Sequence, residues 1–112
     1  AAAKKQANEN VAASKKELEE TKREAIKDAT AGVKDARTDL AAEEKKLQET
    51  KTAVTVAQAK LKTATDDNRK DLQEDVNDAQ EAVTAQEKDV AEAEKALTKH
   101  QQKLTQIQDA IN

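Results

Sequence analysis

His100, the single histidine of the chain, and several closely spaced carboxylates are the residues whose types could do chemistry. An imidazole becomes a metal ligand or general base when partners converge on it, which on a helix means a second ligand three or four residues away. Neither a Glu-x-x-His nor a His-x-x-x-His spacing surrounds His100. A histidine on a helix seam with its ring edge in water is the plainer reading. Glu43 beside Glu44, and Glu19 beside Glu20, offer paired acids. Dividing two carboxyls into general acid and general base needs an enclosed site, however, and exposed helical faces provide none. Asp66, Asp67 and Asp71 suggest a calcium loop but lack its glycine and its bidentate glutamate at the required offsets. A turn and helix cap accounts for them better. No catalytic, cofactor-binding or metal constellation emerges, and the chain reads as non-enzymatic.

The elements that would position such groups are long helices. Of 112 residues, 23 are Ala and 17 are Val, Leu or Ile, with no aromatic residue, Pro, Cys or Met and one Gly. Aromatic rings supply much of the area in ordinary interiors. With 38% charged residues and a mean hydropathy of -1.02, no thick globular core can form. That balance is also the signature of disorder, but the Ala, Glu, Lys, Gln and Leu content favours helix and the aliphatic residues keep a fixed period. The net charge of -3 gives no reason to expect nucleic acid as a partner. Lys15, Lys16, Lys22 and Arg23 are interspersed with Glu17, Glu19, Glu20 and Glu24, so no basic stripe forms. Ala-rich faces insert poorly into membranes, and no run is apolar enough to cross one. The absence of Cys fits a reducing cytosol and a disulfide-free bacterial surface equally.

The larger aliphatics recur every seven residues, the spacing of a coiled-coil seam. One run is Val11 and Leu18, followed by Ala25. A second is Ile26, Val33, Leu40, Leu47, Val54 and Leu61, and a third is Val76, Val83, Val90, Leu97, Leu104 and Ile111. Taking these as a positions, the d positions are Ala29, Ala36, Glu43, Thr50, Ala57 and Ala64 in the second block. In the third they are Leu72, Ala79, Gln86, Ala93, His100 and Ile107. The frame slips by one residue at Ala25–Ile26 and opens to eleven between Leu61 and Leu72. The second break holds Thr65, Asp66, Asp67 and Asn68, the most turn-like stretch in the chain. Around the first break, Ala29 to Gly32 is a soft spot in a helix, since Gly costs roughly 1 kcal/mol relative to Ala there.

These features predict an all-α fold, an antiparallel two-helix coiled-coil hairpin with a turn near Asp66–Asn68. The expected elements are helix 1 over about 2–64, a turn over about 65–68 and helix 2 over about 69–111, within one elongated segment. The antiparallel register sets a against d, giving Ile26 with Ile107, Val33 with His100, Leu40 with Ala93, Leu47 with Gln86, Val54 with Ala79 and Leu61 with Leu72. Between them, Val76 meets Ala57, Val83 meets Thr50, Val90 meets Glu43, Leu97 meets Ala36 and Leu104 meets Ala29. Most layers pair large with small, which fills a thin seam without voids. Glu43 is expected to turn its carboxylate out to water past Val90. Flanking charges agree: Lys60 falls near Asp75, Lys46 near Asp89 and Arg37 near Glu94, against one repulsion between Glu44 and Glu87. Two alternatives stand beside it. One unbroken helix in a parallel homodimer would stack Glu43, Gln86 and His100 on themselves, with Asn68 as a register-setting core residue. A three-helix bundle would break near Gly32.

In the hairpin, Ile111 reaches back to Lys22, which leaves Val11 and Leu18 without partners. A continuation of a longer stalk, a folded-back third helix or self-association through residues 1–25 would cover them.

The runs Lys-Lys-Glu-Leu-Glu-Glu at 15–20, Asn-Asp-Ala-Gln-Glu-Ala-Val at 77–83 and Asp-Val-Ala-Glu-Ala-Glu-Lys-Ala-Leu at 89–97 resemble the helical stalks of Gram-positive, cell-wall-anchored surface proteins. Pneumococcal surface protein A, the streptococcal M-type proteins and the surface exclusion proteins are similar in texture. The resemblance covers the chain by composition and implies an extracellular rod that holds an adhesive head away from the wall, of which this would be a fragment. Two other functions stay open. The hairpin tip or a helical face could bind an unidentified protein, or the chain could be the coiled-coil arm of an intracellular machine, although the tip carries no hook motif.

Overall fold

The computed structural model describes residues 2–111, with the backbone alone described at Ala2. Two helices, α1 at Ala2–Lys62 and α2 at Arg69–Ile111, form an all-α antiparallel coiled-coil hairpin that turns near Asp66–Asn68. Neither alternative architecture is present. The helical ladder stops at Lys62, which excludes one unbroken helix, and α1 runs through Gly32 without interruption.

Helix α1 survives its frame slip because backbone bonding takes no account of heptad phase. Nothing near Ala25–Ile26 removes an N–H or forces a left-handed backbone. Several of its threonines turn their hydroxyls back onto the preceding turn, as in Thr21 Oγ1 to the Glu17 carbonyl at 2.9 Å and Thr52 Oγ1 to the Gln48 carbonyl at 2.9 Å. That satisfies a polar group within the helix at small cost. The helix ends two residues before the expected Ala64, through tighter bonds from Thr63 N to the Lys60 carbonyl and Ala64 N to the Leu61 carbonyl, at 3.2 and 3.1 Å. Such three-residue closures commonly occupy the last carbonyls of a helix. Lys60 and Lys62 stand in the final turn, where positive charge suits the helix dipole.

The turn is held by Thr65 and Asn68. Asn68 Oδ1 accepts from Thr65 N at 2.8 Å and from Thr65 Oγ1 at 3.2 Å, while the Thr65 carbonyl accepts from Asn68 N at 3.3 Å and Arg69 N at 3.0 Å. A side chain reaching back to the N–H three residues earlier is half of a capping box, with Asn in the place usually held by Glu or Gln. Asp66, Asp67 and Asn68 are all exposed. Asp66 and Asp67 precede α2 and Asp71 stands in its first turn, the end where negative charge is favoured.

The chain divides into two compact units, Asp35–Thr98 and Ala1–Lys34 with Lys99–Asn112. The first contains the turn and a seam whose buried residues are Ala36, Val76, Gln86 and Val90. In the second, Ala29 and Val33 are buried, each 7% exposed, and α2 contributes Leu104, Ile107 and Ile111, all half-buried.

Candidate functional site

The residues expected to form the seam are distributed as follows. Val33, Val76 and Val90 are buried; Ile26, Leu40, Leu47, Val54, Leu61, Leu72, Val83, Leu97, Leu104 and Ile107 are half-buried. The small d positions Ala29 and Ala36 are buried, and Thr50, Ala57, Ala64, Ala79 and Ala93 half-buried. Thr50, a polar residue in this row, bonds its own helix through Oγ1 to the Leu47 carbonyl at 2.8 Å. Lys60 and Asp75 line one depression beside the seam, and Lys46 and Asp89 another.

Glu43 has a partner that was not expected. Its carboxylate, on a side chain 26% exposed, accepts from Gln86 Nε2 at 2.6 Å, and Gln86 Nε2 also reaches the Glu43 backbone carbonyl at 3.0 Å. Gln86 is 9% exposed. A buried amide has to find acceptors; across the seam Glu43 offers two of them one layer away, while Thr50, one layer the other way, turns its hydroxyl to the Leu47 carbonyl. The other carboxylate oxygen of Glu43 stands 3.7 Å from Lys46 Nζ, so Lys46 pairs within its own helix while lining one depression with Asp89. The signal was present in the sequence: Glu43 and Gln86 are polar d residues that the hairpin places in adjacent layers. Reading each layer separately hid the diagonal.

His100 is exposed, the only a or d position of the second and third blocks that is, among the described residues. Its ring lies against Gly32, the residue before its expected layer partner Val33, and a methyl group on Gly32 would come within 2.9 Å of His100 Nδ1. Gly32 is the sole residue outside those a and d positions between Ile26 and Ile111 that is withdrawn from solvent. A glycine in that place gives the imidazole a notch to lie in, which explains the residue that the sequence marked as a soft spot. Asp28, Lys103 and Ile107 line the same depression, which is open to solvent.

Among the described residues no three His, Cys, Asp or Glu side chains come together as a cation would require, and the depressions along the helices are open grooves. No helix among the described residues is long and apolar enough to cross a membrane. The exposed large aliphatics among the described residues are Val11, Leu18 and Val56. Val56 lies outside the heptad frame, in the depression lined by Lys60, Leu72 and Asp75, and sequence reasoning passed over it. No family model, curated protein or solved structure matches the chain.

Proposed function

We infer that this chain is a non-catalytic structural spacer, a presentation stalk of a bacterial surface protein outside the cell. The observation that carries this reading is the use to which its aliphatics are put. From Ile26 onward the Val, Leu and Ile residues other than Val56 are withdrawn from solvent where α1 and α2 pack within each unit, which leaves faces of charged and small side chains and, among the described residues, no enclosed site. Such a seam resists bending and offers little to hold a ligand. The likeness of its helices to the stalks of Gram-positive wall-anchored proteins points to the same role. A second reading, a protein-binding module near the tip, draws on the exposed Val56 between Lys60 and Asp75.

Spin labels at Lys70→Cys and Lys95→Cys, both exposed positions of α2, test the spacer. At about 1.5 Å per residue a stiff helix sets a narrow distance distribution near ~38 Å, and a broad one would reject a rigid spacer. Antibodies against the hairpin should label intact, unpermeabilised cells of the source organism. Labelling that appears only after permeabilisation would reject the surface location.

A further inference from the structure

The geometry points to an interface between two copies of this chain, in which residues 3–21 of one α1 pair antiparallel with residues 3–21 of the other. Val11 is 53% and Leu18 55% exposed. With Ala7 and Ser14 they form one line along α1 at alternating spacings of four and three, the spacing of a single helical face. The same line runs on through Ala25, Ala29 and Gly32, and there it is half-buried or buried beneath α2. Ala25 and Ile107 line one depression, and both Lys22 and Ile111, a turn further on, are half-buried. One continuous face is therefore covered from about Lys22 onward and bare before it. What covers the remainder has to lie along the path of α2.

Two observations choose the occupant and its direction. A parallel partner helix laid on Val11 and Leu18 would run, past its own residue 21, into the space that α2 already fills. An antiparallel partner enters from the other end and leaves away from α2, so only that direction is open to a second copy of the same hairpin. Such a pairing is isologous and closes after two chains. Its register follows from size and charge. Setting Leu18 against Ala7 of the partner and Val11 against Ser14 of the partner repeats the large-with-small layers of the intrachain seam. It also brings Lys15 beside Asn8 of the partner and Asn10 beside Glu17 of the partner, with no like charges opposed. A shift by one heptad in one direction would oppose Glu17 to Glu17 and Lys15 to Lys15, and in the other direction it would leave Leu18 with no partner among residues 3–21. With two aliphatics from each copy the contact is weak and forms at high local concentration. It does not depend on the spacer reading.

The chain has no cysteine, so single variants report cleanly. Ala7→Cys and Leu18→Cys chains, mixed in equal amounts and oxidised, should give the mixed disulfide at least several-fold in excess of either self-linked product. Self-linking of Leu18→Cys alone as readily as in the mixture would mean a parallel contact and overturn the proposal. So would crosslinking no greater than that of Glu20→Cys, an exposed position off the line. In light scattering at millimolar chain concentration, wild type should exceed the mass of one chain. Val11→Glu/Leu18→Glu should fall to that of one chain with its hairpin unfolding midpoint unchanged, because those side chains are bare within the monomer. A wild-type mass of one chain under those conditions would also overturn it.

Discussion

Gln86 Nε2 binds Glu43 twice, at the carboxylate and at the backbone carbonyl, and so ties α2 to α1 through the most buried polar side chain of the described residues. The aliphatic layers on either side would accept a shift of a whole heptad with little change in apolar contact. This bond would not: a slip of seven residues sets Gln86 beside Ala36 or Thr50, and Glu43 loses its donor. Together with the Thr65–Asn68 turn, it gives the hairpin a second point of registry, placed well along the arms. A single polar layer that specifies alignment at some cost in stability is a known use of buried polar groups in coiled coils.

Replacing one partner of this bond should be worse than replacing both. Gln86→Leu strands a half-buried carboxylate, and the expected loss is about 1 to 2 kcal/mol in chemical denaturation. Glu43→Leu/Gln86→Leu should recover most of that loss. Additive losses in the double-mutant cycle would show that the bond contributes no coupling.

Gly32 and His100 should be strongly non-additive. In an ordinary helix Gly→Ala gains about 1 kcal/mol, but at Gly32 the new methyl would displace the imidazole. Gly32→Ala alone should therefore change the melting temperature little. In a His100→Ala background the same substitution should deliver the full gain, and equal effects in both backgrounds would show that the notch is unimportant.

At the turn, Asn68→Ala removes the acceptor of both Thr65 bonds, with an expected cost of about 1 kcal/mol, typical of a lost helix cap. Asn68→Asp keeps an oxygen in place and should remain close to wild type in thermal unfolding. Equal losses for Ala and Asp would show that the side-chain bonds do not hold the turn.

Register in the turn-proximal unit can be trapped chemically. Ala79 lines one depression with Ala53 and Ala57, so Val54→Cys/Ala79→Cys should close an intramolecular disulfide under mild oxidation. Products linked only between chains would contradict the fold-back.

Burial separates two neighbours on α2. Val90 is 8% exposed, whereas Lys88 is exposed to solvent. Val90→Asp should cost about 3 kcal/mol or more by placing a charge in the seam, whereas Lys88→Asp should stay within about 0.5 kcal/mol. Similar losses from the two would mean that Val90 is not in the seam.

The helical class and the fold-back are legible in one dimension, because helix propensity, heptad spacing and turn chemistry are local properties. Ala-rich runs free of proline, aliphatics seven apart and the Thr65–Asn68 cluster all act through bonds between near neighbours. The frame slip at Ala25–Ile26 is legible too, but its consequence is not. Whether a phase change bends, breaks or merely redirects a helix depends on what lies across from it, and here α1 continues while Ala25 and Gly32 join its covered face. Contacts that cross the seam on the diagonal belong to the folded molecule alone. Gln86 reaching Glu43 and His100 lying in the notch at Gly32 each join residues far apart in the chain. Their partners are set by side-chain direction and by the distance between two helix axes, and a list of residues contains neither.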